Sequence, residues 1–131
     1  MSYNGQPVPT TYVPVARAKV SDGKSVRVTV PASTTIIAET FVLLSGFFGV
    51  AKQNVTTAAG QTADVIIDIE QAEYETNQIV TTQAFTVSTL VYWDDTAKKI
   101  TETATGNRLV GRVTAAKDAN NVIWLLLGPQ I

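Results

Sequence analysis

From Ser25 onward, apolar residues recur at every second position along much of this chain, and stripes at helical spacing are absent. In SVRVTV (25–30), Val26, Val28 and Val30 share one side while Ser25, Arg27 and Thr29 share the other, the signature of a half-buried strand. Pro31 ends that strand or confines it to an edge. TIIAETFVLL (35–44) is two short apolar runs broken at Glu39-Thr40, and Gly46 and Gly49 then flank Phe47-Phe48. Glycines there predict a tight bend or bulge that turns the aromatic pair toward a core or a neighbour. After a turn at Thr56–Gln61 comes the cleanest alternation, with Ala63, Val65, Ile67 and Ile69 opposite Asp64, Asp68 and Glu70. A slip of one residue would expose every buried side chain of that strand, so its register is well specified. Residues 71–89 are polar and threonine-rich, and Gln71 to Asn77 are compatible with a helical turn.

The last forty residues organise the rest. Leu90-Val91-Tyr92-Trp93 reads as a strand ending in Asp94-Asp95; strands at Ile100–Thr103 and Leu109–Ala115 follow, separated by a Thr-Gly-Asn turn at 105–107. The outline is an antiparallel meander. The closing run VIWLLL (122–127) has no alternation and predicts a strand buried on both faces, centrally in a sandwich or against another subunit. The fold class expected is all-β: a compact β-sandwich or barrel-like domain of short antiparallel strands over residues 21–131, behind an extended proline-rich arm at 1–20. In that arm Pro7, Pro9 and Pro14 alternate with β-formers; proline fixes φ and biases its predecessor toward extended geometry. Such a segment is either a frayed terminus or an arm that docks on a partner, using Pro7, Val8, Pro9, Tyr12, Val13 and Pro14.

Composition narrows the function. At 131 residues the chain is one domain with room for a core. Its apolar runs fall short of the ~18–20 residues of a spanning helix, and MSYNGQPVPTTY resembles no secretory signal. A net charge of −1 with scattered lysine and arginine predicts neither nucleic acid nor membrane as a partner. Without cysteine, which fits assembly in a reducing cytoplasm, there is no disulfide or thiolate metal site. Without histidine the commonest general base and metal ligand are missing. The expectation is a binding or structural protein with no cofactor, not an enzyme.

Individual motifs agree. Gly23-Lys24-Ser25 copies the tail of a phosphate-binding loop, but Ala18 stands where its first glycine belongs and a strand follows instead of a helix. The expectation there is an Asp22-Gly23 turn with a solvated lysine. Asp94 and Asp95, adjacent in a strand, point to opposite faces and suit strand-end capping better than a metal cluster. Tyr92, Trp93 and Trp124 suit core or interface packing, with an aromatic platform for sugars or bases as the other reading. Asn54-Val55-Thr56 matches a glycosylation sequon by chance.

GFFGVAKQNVTTAAGQTADVIID (46–68) and LVYWDDTAKKITETATGNRLVGRVTAA (90–116) together resemble the small capsid cement, or decoration, proteins of tailed bacteriophages. The resemblance covers about residues 23–128 and rests on the ordered series Tyr-Trp-Asp, Thr-Gly-Asn and Gly-Arg-Val. Ser88-Thr89 stand where that family often carries glycine. Such proteins are sometimes labelled predicted phage RecA/RadA-type recombinases, a label this chain does not support, having no intact P-loop and no βαβ units. The resemblance implies a β-rich protein, commonly trimeric, made in the bacterial host cytoplasm and placed on the outer capsid surface of the virion. It would bind the major capsid protein at three-fold and quasi-three-fold positions of the expanded head and stabilise it by bridging subunits. On that reading the arm contacts the capsid or a sister subunit, and Phe47, Phe48, Trp124 and Leu126 form subunit interfaces. The alternative is a non-catalytic β-sandwich module, displayed on the virion, that binds carbohydrate or a host surface; an exposed aromatic row would favour it.

Overall fold

The structure, a computed structural model, describes residues 18–131. The arm positions Pro7, Val8, Pro9, Tyr12, Val13 and Pro14 lie outside the described residues. The elements within them are all strands: β1 (Ser25–Val30), β2 (Thr35–Ile36), β3 (Phe41–Leu44), β4 (Phe47–Ala51), β5 (Val55–Thr56), β6 (Ala63–Asp68), β7 (Glu73–Thr76), β8 (Leu90–Asp94), β9 (Lys99–Thr101), β10 (Arg108–Ala115) and β11 (Ile123–Leu127). One sheet has the order β1-β6-β4-β3, a second β7-β11-β10-β8-β9, and β2 pairs β5 in a small third. Every named strand pair is antiparallel, in keeping with the expected fold class.

Alternation placed β1 and β6 correctly. Val28 pairs Val65 across β1 and β6, and Val28, Val30, Val65 and Ile67 are all buried. They form one core with Ile36 and Ala51. The second core lies between the two large sheets, where Phe41, Phe48 and Val50 meet Val91, Trp93, Ile100, Val113, Ile123 and Leu125. β4 serves both. Phe48 and Val50 belong to one core and Ala51 to the other, so this strand is covered on both faces. Ser45 and Gly46, at φ 51° and 85°, turn β3 into β4 with the doubly left-handed backbone of a tight hairpin.

Three expectations change. The run 122–127, predicted to be buried on both faces, alternates: Ile123, Leu125 and Leu127 are buried, while Trp124 and Leu126 are 46% and 48% exposed. Period two was masked because the outward positions are themselves apolar. Residues 73–76 are strand β7, paired to β11, and not a helical turn. The meander is also broken: β10 pairs β8, so β9 lies at the sheet edge and residues 102–107 carry the chain back across. Trp93 pairs Ile100 on one side and Arg108 on the other, which puts β8 between β9 and β10. The polar stretch 71–89 also contributes two core side chains, Ile79 and Phe85, both fully buried.

Candidate functional site

With Ile123, Leu125 and Leu127 committed to the core, strand geometry sends Trp124 and Leu126 to the outer face of the five-stranded sheet. The registers show what joins them there. Leu126 pairs Arg112, which pairs Leu90, and Leu109 pairs Tyr92. A register irregularity between Leu109 and Gly111 lets Val110 turn inward while Leu109 and Arg112 both remain outside. The resulting face carries Leu90, Leu109, Trp124 and Leu126, exposed by 40–52%. Polar groups stand among them: the Trp124 Nε1–H donates to Glu75 Oε1 (3.2 Å), Thr114 Oγ1–H donates to Glu73 (2.6 Å), and Arg112 donates to the Ser88 carbonyl (2.8 Å). Arg112 lies between Leu90 and Leu126 in this register, so the face mixes apolar side chains with a central cation, a combination found in protein contact surfaces.

A second feature runs along the outer edge of β3. Thr34–Ile37, Thr40–Leu44, Gln78 and Lys98 line a groove of about 310 Å³. Its floor is the free edge of an edge strand, and Ile37 on its wall is 54% exposed.

The ionisable groups do structural work. Asp94 Oδ1 accepts the Thr96 and Ala97 N–H groups and shapes the β8–β9 turn, as expected from its strand-end position. Asp95 Oδ1 accepts the Trp93 indole N–H (3.0 Å) and the Lys98 ammonium (2.8 Å). Partial burial pushes this carboxyl up, but the hydrogen bonds from Lys98 and Trp93 outweigh it and hold Asp95 below its ordinary value. A depressed folded-state pKa contributes stability above the unfolded value that is lost as pH falls through the folded one. The Asp95 titration, followed by the Trp93 indole N–H resonance in NMR, is therefore expected to have its midpoint below that of an ordinary aspartate. A midpoint above it would show the indole bond to be absent in solution. Tyr74 is also pushed up, first by burial and then by Asp68, whose carboxylate accepts its O–H at 3.2 Å.

The predicted residues separate. Trp124 and Leu126 are together on the outer face. Phe48, expected at a subunit interface, is instead 1% exposed in the chain's own core, stacked on Phe41 and 5.0 Å from Trp93. Phe47 is half-buried beside the other core. Ser25 opens β1, and Lys24 pairs Glu70 at 3.6 Å, so the phosphate-loop fragment is a solvated strand start. Asn54 of the sequon uses its side chain to accept the Ala38 N–H. Among the described residues no group of three or more histidine, cysteine or acidic side chains is placed to hold a metal, and no helix is long and apolar enough to cross a membrane. Leu90 and Leu109 were missed, although each heads an alternating strand, and pairing alone brings them to Leu126. Nothing in the sequence marked the β3 groove, which is made by segments far apart in the chain.

No curated protein and no solved structure matches the chain. A family model described as phage cement protein matches residues 20–127, most of the chain and nearly all of the described domain. The two sheets, their outward apolar face and that match agree with the resemblance carried by the 46–68 and 90–116 stretches, and the chain belongs to the phage cement protein family.

Proposed function

We propose that this protein decorates the outside of an expanded phage head at three-fold and quasi-three-fold positions, bridging major capsid subunits as a homotrimer. The observation that carries the reading is the outer face of the five-stranded sheet: Leu90, Leu109, Trp124 and Leu126 share that face and are left 40–52% exposed by the chain itself. Burial of such side chains against another surface is worth roughly 25 cal/mol per Å² before the costs of association. Trp124, with Leu126 beside it, is the anchor type that dominates interfaces. The arm, with Pro7, Val8, Pro9, Tyr12, Val13 and Pro14, adds a contact by strand addition to the shell, its prolines lowering the entropy lost on docking. Three linked copies then turn modest contacts into tight attachment by effective concentration.

The test is co-sedimentation with decoration-free capsids in the expanded and unexpanded states. Saturable binding to expanded shells alone, at three copies per three-fold position, is expected. Removing residues 1–16 is expected to leave the domain folded and weaken binding by about a hundredfold, the low end of what a lost linked contact costs. Undiminished binding would take the arm out of the mechanism. Binding to neither shell would leave the carbohydrate or host-surface module, for which half-exposed Trp124 beside Glu73 and Glu75 is the feature to probe by glycan screening.

A further inference from the structure

Strand β7 is an edge of the five-stranded sheet, and it puts two glutamates on the face that carries Trp124. Glu73 and Glu75 are two residues apart, so both project to the same side, and Glu75 stands directly opposite Trp124 in the register. With Tyr74 and Trp124 they line a cleft of about 180 Å³. Each carboxylate is held by one oxygen. Glu75 Oε1 accepts the Trp124 indole N–H, and Glu73 Oε2 reaches over β11 to accept the Thr114 hydroxyl of β10. Among the described residues the second oxygen of each accepts no hydrogen bond, and neither carboxylate has a lysine or arginine nitrogen within 4 Å. The contrast with other surface acids is sharp: Asp22, Glu39, Glu70 and Asp95 each pair with a lysine of the chain. The cation of this face, Arg112, is engaged by the Ser88 carbonyl instead (2.8 Å).

We propose that this cleft receives an arginine side chain of the major capsid subunit; the inference rests on the proposed function and gives one end of its contact face a chemistry. Size argues for a single side chain. Small-molecule sites commonly hold about 300–1,000 Å³, and this cleft is smaller. Charge argues for a cation, since two carboxylates beside one another await a counter-charge that the chain does not supply. The indole argues for arginine. A guanidinium stacks on an aromatic face, and its planar fork of N–H donors meets two carboxylates at once, whereas a lysine ammonium is a compact point charge. The Glu75 bond already pins the indole, so little side-chain freedom is lost on docking. Closure of the shell surface over Leu126 and Trp124 would exclude water and strengthen the pair. A second copy is the poorer source. Of the three arginines among the described residues, Arg108 donates to the Gly46 and Gln130 carbonyls and Arg112 to that of Ser88, which leaves Arg27 on β1.

Co-sedimentation of the full chain with expanded, decoration-free shells, at low and at high salt, tests this with charge-neutralising variants. In Glu73→Gln/Glu75→Gln the amide oxygens can still accept the Thr114 and Trp124 bonds, so only the charge is lost. Asp22→Asn/Asp64→Asn makes the same change of net charge at exposed positions outside the face. The glutamine pair is expected to weaken shell binding by about thirtyfold or more at low salt, the cost of leaving a desolvated partner charge unpaired, and to flatten its salt dependence. The asparagine pair is expected to bind as the unmodified chain does. Equal losses in both double variants would reduce the effect to net charge and overturn the site. Undiminished binding by the glutamine pair, with affinity lost in Trp124→Ala, would overturn the arginine and leave the face as the shell contact. A loss in Arg27→Gln matching that of the glutamine pair would overturn the capsid as its source and assign the arginine to a sister copy. Failure of the unmodified chain to bind shells would overturn this inference together with the proposed function.

Discussion

Replacing Trp93 by alanine is expected to lower the stability of the domain by about 3–5 kcal/mol, the cost of deleting a large buried aromatic and leaving a cavity. Trp93 is 1% exposed on β8, between Ile100 and Arg108 in register, with Phe48 of the other sheet 5.0 Å away at a tilt of 53°. Its loss would remove the aromatic contact with Phe48 across the two sheets and leave Asp95 without its indole donor. For a domain with the usual 5–15 kcal/mol in hand, such a loss is a large fraction of the whole. Urea unfolding followed by far-UV circular dichroism measures it. Trp124→Ala, taken from the exposed face, is expected to shift the same midpoint far less while removing the proposed anchor for a partner. Equal destabilisation by the two changes would contradict the assignment of one tryptophan to the core and the other to a surface.

Gly49→Ala and Gly111→Ala are expected to be as damaging, for the opposite reason. A Cβ at Gly49 would stand 2.1 Å from the Asp68 carbonyl oxygen and 2.7 Å from Ile67 Cγ2; at Gly111 it would stand 2.1 Å from the Leu126 carbonyl oxygen. These obstacles are backbone, which no rotamer change moves, so strands β4 and β6, or β10 and β11, would have to part. Overpacking usually costs about 1–3 kcal/mol, and the rigid obstacle here puts each substitution at or above the top of that range. Gly46→Ala is the comparison. It meets nothing within 4 Å and suffers only from its φ of 85°, a strain of roughly 1–2 kcal/mol. If all three variants unfolded at the same urea concentration, the close approach of strands at Gly49 and Gly111 would be wrong. For Gly111 the consequence reaches the proposed contact face, because β11 positions Trp124 and Leu126 there.

Stability and contact are divided between faces of the same strands. β8 gives Val91 and Trp93 to the core and Leu90 to the surface, and β11 gives Ile123, Leu125 and Leu127 to the core and Trp124 and Leu126 to the surface. Substitutions on the outer face are therefore expected to have little effect on folding, and on the proposed function they would act on partner affinity instead.

Local chemistry was enough to determine the all-β class, because alternation at 25–30 and 63–69 has no helical explanation and β-branched residues fill those positions. It also settled the role of Asp94, since an aspartate at a strand end needs only the next few N–H groups to make its turn. The family was legible in the motifs from Gly46 to Ala116. What alternation could not reveal is which apolar residues face inward when both sides of a strand are apolar. In 122–127 the outward Trp124 and Leu126 look like core, and in 47–51 a strand covered on both sides looks like a bend. Ile79 and Phe85 entered the core from a polar, aperiodic stretch, where no pattern could announce them. The order β7-β11-β10-β8-β9, the union of Leu90, Leu109 and Leu126 in one surface, and the groove between residues 34–44 and Gln78 all depend on pairings between distant segments. Those pairings are decided by the packing of the two sheets against each other, and only the tertiary structure contains it.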